Sequence, residues 1–386
     1  MNKILSKLHG DRTIWMMVIL LCLISILAVY SSSATLVYKS GSDNTEFFIL
    51  KHIVTLITGL GLMYGAHLVP YKYFSRISQI ALIIAVPLLI LTLIIGSSDR
   101  WLIIPGINQS FQTSDLAKLA LIMYLARTLS RKQETIKDFY QGFLPVFLPI
   151  VLVCGLIVWG NFSTAALVFI IGFMMMFIGG IHWKYLGLLV GIGFVSVMLF
   201  ALVVYNYPEV GRFGTWKNRI ENFIHGDEQS NYQSSQAKMA IASGGLFGKL
   251  PGSSVMRNFL PQAHNDFIYA IIIEEYGLIL GGILPLLFYL ILLKRGVTLY
   301  VKSPNHFGAY LVIGITLSLV LQAFINMSVA VGLIPVTGQA MPLVSMGGTS
   351  IWFTCIAIGI MLSVSRQVEI ESENIESNDE LELQQA

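Results

Sequence analysis

The sequence predicts an all-α polytopic membrane protein of about ten transmembrane helices, and three observations predict it. Of 386 residues, 55% are hydrophobic and 12% charged, about half the charged share of a soluble domain. The apolar residues fall into runs close to the roughly 20 residues a helix needs to cross a bilayer. The bases gather in alternate connections between those runs. Such a composition excludes a disordered regulator, a secreted disulfide scaffold and an ordinary cytosolic enzyme.

In chain order the runs are Ile14–Val37, Phe47–Val69, Ile77–Ile95, Leu116–Leu129, Phe143–Trp159, Thr164–Ile181, Tyr185–Tyr205, Phe267–Leu293, Phe307–Val331 and Ile351–Val364. The fourth and tenth are short for a span. Lys3, Lys7 and Arg12 before the first run, and the small residues Ser31–Ala34 within it, imitate a signal peptide. Its apolar stretch is longer than a signal core, so it is read as a helix. With the N-terminus inside, the inner side collects 14 Lys and Arg against 4 outside, once one long outer loop is set aside. This bias places both termini in the cytoplasm.

That large extracytoplasmic loop, residues 206–265 between helices 7 and 8, holds Trp216, Tyr232, the Gly244–Gly245 pair and six bases. Structureless loops of such length are usually functional. The transmembrane domain is therefore 1–368. Residues 369–386 carry seven acids and no Lys or Arg, the composition of a disordered cytoplasmic tail. Cys22, Cys154 and Cys355 lie inside apolar runs with no metal or redox spacing, and read as small buried apolar residues.

Ionisable groups in or beside spans are costly and point to function. Asp115 and Lys118, three apart on one helical face, either neutralise each other or present a cation to an anionic substrate. Glu274 and Glu275 diverge by about 100° on a helix, so one faces the bundle, as a structural partner for a base, and the other something else. Asp266, at the mouth of the eighth span, reads from spacing alone as a helix cap. Between Asn326 and Ser350 the density of Gly and Pro breaks the helix, and broken backbone at membrane depth survives only where it is buried or lines a cavity.

Two long stretches, LPQAHNDFIYAIIIEEYG (260–277) and NMSVAVGLIPVTGQAMPLVSMGGTS (326–350), resemble the SEDS family (shape, elongation, division and sporulation), the FtsW/RodA/SpoVE group. Further matches are Val29–Ala34, Arg100–Lys118 and Asn231–Gln236 with Gly244–Gly245, so the resemblance spans about Thr13 to Arg366. The Tyr-Ser-Ser-Ser-Ala and Pro-Gln-Ala-His-Asn-Asp forms are closer to the division member, FtsW, than to the elongation member.

The resemblance implies a peptidoglycan glycosyltransferase that polymerises lipid II into glycan strands at the outer face of the cytoplasmic membrane, at the division septum. It implies Asp266 as the catalytic acid, and Ser114, Asp115 and Lys118 match the family's S-E-x-x-K with Asp for Glu. A sugar diphosphate already has a good leaving group, so one carboxylate can serve, as general base. Positive charge is then needed where the diphosphate departs. Lys118, Lys51, Arg257 and Arg212 are the candidates, with a divalent cation (Mg2+ or Mn2+) as an open addition whose ligands the sequence does not identify. Asp115, Glu274, Glu275, His264, Ser345 and Gly347 are read as supporting residues. Expected partners are lipid II, a class B penicillin-binding protein transpeptidase, other divisome proteins and membrane lipids, with no nucleic acid. Thr113, Asn161, Met346 and His52 depart from the family's usual residues. A lipid II flippase or carrier, a cell-elongation polymerase and a non-catalytic scaffold stay open as alternatives.

Overall fold

The structure, a computed structural model, describes residues 9–40, 45–95, 101–104, 109–206, 214, 232–260 and 263–385. In chain order its α-helices are α1 (Arg12–Ser40), α2 (Thr45–Leu68), α3 (Phe74–Ile95), α4 (Thr113–Arg131), α5 (Leu144–Gly160), α6 (Phe162–Ile178), α7 (Trp183–Asn206), α8 (Tyr232–Gly244), α9 (Ile268–Gly277), α10 (Leu284–Lys302), α11 (His306–Ala330) and α12 (Thr349–Gln385). Short polar side chains start several of them. Asp11 accepts from the Thr13 N–H at 2.8 Å, Asn161 from Thr164 at 3.3 Å and Asn305 from Phe307 at 2.9 Å, satisfying donors that a helix leaves free.

Burial ranks the helices from centre to rim. In α11 83% of the apolar window is buried, against 22% over Tyr71–Ile95. A helix apolar all round belongs at the centre, and α11 packs against α4, α6 and α10. On α3, Ile80, Ile83, Ile84 and Ile94 are exposed, a face for lipid. Seven helical segments among the described residues are long and apolar enough to cross a membrane, and the chain is a multi-pass membrane protein. Nine of the ten expected runs coincide with one helix each. The fourth falls on α4, a helix that carries Asp115, Lys118, Arg127 and Arg131, and the sixth, α6, has only 17 residues.

The eighth run is different, because it reverses. Gly277 has φ +78°, and a Cβ there would sit 2.3 Å from the Leu246 carbonyl oxygen. Within a π-helical turn over Leu278–Ile283, Gly281 presses on the Ile272 backbone and the Tyr269 hydroxyl donates to the Gly282 carbonyl at 3.0 Å. These pairings make α9 antiparallel to the start of α10, so α9 enters the bundle and does not cross it. Hydropathy has no direction, which is why one continuous apolar run conceals the turn. Asp266 consequently lies at the inner foot of α9, roughly 15 Å from the reversal by helix rise, rather than at the mouth of a span.

Three other expectations are modified. The long loop expected on the outer side contains a helix, α8, packed on α9, with Gly244 so close that a Cβ would stand 2.3 Å from the Ile273 oxygen. The acidic segment 369–386, expected to be disordered, continues α12 to Gln385. No Gly or Pro follows Gly359 to stop it, and Glu, Leu and Gln are good helix formers. The fold is also not wholly helical, since β1 (Trp101–Ile104) and β2 (Gln109–Gln112) pair antiparallel with Trp101 opposite Gln112.

Candidate active site

Three consecutive carbonyls before α9 are pinned by donors from elsewhere in the chain. The Met346 N–H donates to the His264 oxygen at 3.0 Å, the Ser345 hydroxyl to Asn265 at 2.7 Å, and the Asn326 amide to Asp266 at 3.0 Å. The Asn326 amide also reaches the Gln339 carbonyl at 2.7 Å, and Ser345 Oγ accepts from the Met341 N–H at 2.8 Å. The Gly- and Pro-rich connection 331–348 is thus a re-entrant segment whose backbone groups are satisfied inside protein, as the membrane demands. It is braced from two further sides. Ser25 on α1 donates to the Val344 carbonyl at 2.8 Å and meets His52 Nε2 at 2.8 Å, and the Tyr289 hydroxyl donates to Pro342. Because the single Ser25 hydroxyl proton goes to Val344, His52 must donate through Nε2–H.

With its backbone held, the 264–266 segment lines a cavity of ≈ 480 Å³. Asp266, His264 and Asn265 share its wall with Lys51, Asp115, Asn161 and Gly347. These come from α2, α4, the α6 cap, the turn before α9 and the re-entrant segment. The β-hairpin adds its paired ends, Trp101 and Gln112, and is tied to α12 by the Gln112 N–H on Thr349 Oγ1 at 3.2 Å. Lys118 lies just behind this wall. Its Nζ is 2.7 Å from Gln322 Oε1 and 3.3 Å from Asp115 Oδ1, and both partners line the cavity.

Of the other expected cations, Arg257 does not line this cavity. It donates instead to the Ser31 carbonyl and hydroxyl at 3.0 and 3.1 Å. Arg212 lies outside the described residues. Glu274 and Glu275 are both buried but stand apart from the cavity. Glu274 takes the Lys249 ammonium at 3.0 Å, the Ser254 hydroxyl and the N–H groups of Val255 and Met256. Glu275 takes the Ser31 hydroxyl and the Ser254 N–H. The pair clips the 249–257 segment to α9 and α1, so both act as structural fasteners.

No group of three His, Cys, Asp or Glu gathers among the described residues. These side chains do not build a protein-only metal centre, and a Mg2+ ion would have to take its remaining oxygens from a bound diphosphate. Sequence reading missed the amides Gln112, Gln322 and Gln339, of which Gln339 donates to Thr164 Oγ1 at 2.7 Å. One signal was present: Gln322 and Asn326 are four apart on an otherwise apolar helix, hence on one face.

Fold and site together define a multi-pass membrane protein with two carboxylates and a lysine lining a polar cavity within its helical bundle, and a second lysine just behind. Residues 11–370 match the FtsW/RodA/SpoVE family, described as cell cycle protein, and the chain belongs to that family. It is 32% identical over 371 residues to the probable peptidoglycan glycosyltransferase FtsW of Geobacter sulfurreducens (strain DL-1 / KN400), covering 93% of this chain and 96% of the relative. Stage V sporulation protein E of Bacillus subtilis (strain 168) is 34% identical over 375 residues, covering 94% and 98%. Among solved structures, a chain from work on the structural coordination of polymerization and crosslinking by a peptidoglycan synthase complex superposes with TM-score 0.76 at 23% identity, covering 92% and 98%. The crystal structure of the Thermus thermophilus rod shape determining protein RodA gives 0.67 at 23%, covering 94% and 98%. These two likenesses show the fold.

Proposed function

We propose that this protein polymerises lipid II at the outer face of the cytoplasmic membrane during cell division, with Asp266 as general base. Family membership makes it a peptidoglycan glycosyltransferase, and the observation that carries the residue-level reading is the pinned 264–266 backbone. It presents Asp266 to a cavity that also holds Lys51 and, one layer behind, Lys118. Asp266 takes the proton from the C4 hydroxyl of the acceptor GlcNAc. The resulting oxygen attacks C1 of the donor MurNAc with inversion, and undecaprenyl diphosphate leaves. Lys51 meets the departing charge directly, while Lys118 acts through the polarised Asp115 and Gln322 or moves forward onto the diphosphate. Such preplaced charge is effective because it needs no reorganisation as the leaving group forms.

Division is favoured over elongation by the motif forms and by relatives that carry the FtsW name. The bias of Lys and Arg between the spans supports cytoplasmic termini. The cross-linking partner is a class B penicillin-binding protein, a reading supported by the likeness to a chain from a peptidoglycan synthase complex that coordinates polymerization and crosslinking. The test is polymerisation of labelled lipid II by the chain co-purified with its transpeptidase. Glycan ladders from wild type and none from Asp266→Asn are expected. Ladders from both would move the base elsewhere in the cavity. No polymer from well-folded wild type, together with transbilayer movement of lipid II, would replace the enzyme by a carrier.

A further inference from the structure

At the end of α4 away from the cavity, three arginines converge. Asp115 opens α4 and Arg131 closes it, about 24 Å further along by helix rise. Arg127, one turn before Arg131, is buried to 8% exposure, and its Nη1 donates to the carbonyl and hydroxyl oxygens of Ser75. The residue after Ser75 is Arg76, at the start of the neighbouring α3. Arg76 and Arg131 are both exposed and both act electrostatically on Arg127. Among the described residues none of the three has an ion-paired carboxylate.

Three cations at close quarters, one of them largely desolvated, call for an anion, since buried charges are normally paired. The C-terminal end of the α4 dipole answers only about half a charge. The surroundings identify the depth. Tyr73, Tyr140 and Trp183 are exposed at this same end at 60%, 76% and 80%, and exposed Tyr and Trp mark the headgroup level of a bilayer. We infer that Arg76, Arg127 and Arg131 bind the phosphate of an anionic phospholipid headgroup at the membrane face opposite the cavity. Arg suits this task because its planar fork matches phosphate oxygens in pairs. The inference needs only the membrane fold and stands or falls apart from the proposed reaction.

The experiment is native mass spectrometry of the full chain in mild detergent, titrated with phosphatidylglycerol, phosphatidylcholine and inorganic phosphate. Wild type retains phosphatidylglycerol in preference to phosphatidylcholine. Replacing the two exposed arginines, Arg76→Gln with Arg131→Gln, lowers that retention about tenfold. A control, Lys137→Gln with Lys184→Gln, removes the same charge from neighbouring exposed positions and leaves retention unchanged. Equal retention of the two lipids, no loss in the arginine variant, or an equal loss in the control overturns the site. Displacement of the lipid by millimolar inorganic phosphate overturns it in favour of a free-anion site.

Discussion

The protein buries carboxylates in two regions, and the two treat them differently. At the α9 tip, Glu274 spends both oxygens on one ammonium, two hydroxyls and successive backbone N–H groups. Along the cavity, Asp115 gives one oxygen to Lys118 while its other oxygen meets no hydrogen-bond partner among the described residues, and the Asp266 backbone is held through its carbonyl. The first region uses charge to fasten a loop. The second fixes the backbone of a segment that lines an open cavity. Burial alone therefore does not separate a structural acid from a chemical one; the partners do.

The largest expected effect that would test this contrast is Asp266→Asn. Loss of a general base should cut turnover by about 10²–10⁴-fold, with the melting temperature of the detergent-solubilised protein nearly unchanged. A large stability loss would mean that Asp266 is a fastener like Glu274. Next, Lys118→Met should reduce kcat on the order of 10²-fold if it meets charge developing on the diphosphate. An effect confined to KM would assign it to ground-state binding alone.

His52 sharpens the comparison at lower amplitude, since its hydrogen bond reaches the re-entrant segment through Ser25 and the Val344 carbonyl. Leucine there should lower kcat by about tenfold through misplacement of the 264–266 segment, whereas His52→Gln, which keeps a side-chain donor, should recover much of it. Ser25→Ala added to the leucine variant should cost little more, and additive losses would break the proposed chain. The smallest effect on chemistry is expected from Glu274→Gln. It should destabilise the protein by about 1–3 kcal/mol through unsatisfied loop donors, yet leave turnover per folded molecule unchanged. A fall in kcat at full folding would bring the loop into the active site.

Much of this was open to a reader of the sequence. Apolar runs located the helices because length and hydropathy are local properties. Asp266, His264, Ser345 and Gly347 could be named because each lies in a long motif. What stayed hidden was relational. The reversal at Gly277 follows from backbone contacts with Leu246 and Ile272, and the apolar letters read the same whether α9 crosses or turns back. Gln322, Gln339 and Gln112 became site residues only when the bundle brought three distant segments to one cavity. Arg257 looked promising through nearness in sequence to Asp266, but the hydrogen bonds to Ser31 turn it toward α1.

The reversal of α9 also has an electrical side. A helix that stops inside the bundle brings one of its ends there, and here it is the N-terminus, beginning at Ile268 directly after the cavity-lining residues. That end carries about half a positive charge. Part of the field inside the cavity is consequently built from peptide bonds. Neutralising Lys51 or Lys118 leaves that contribution standing.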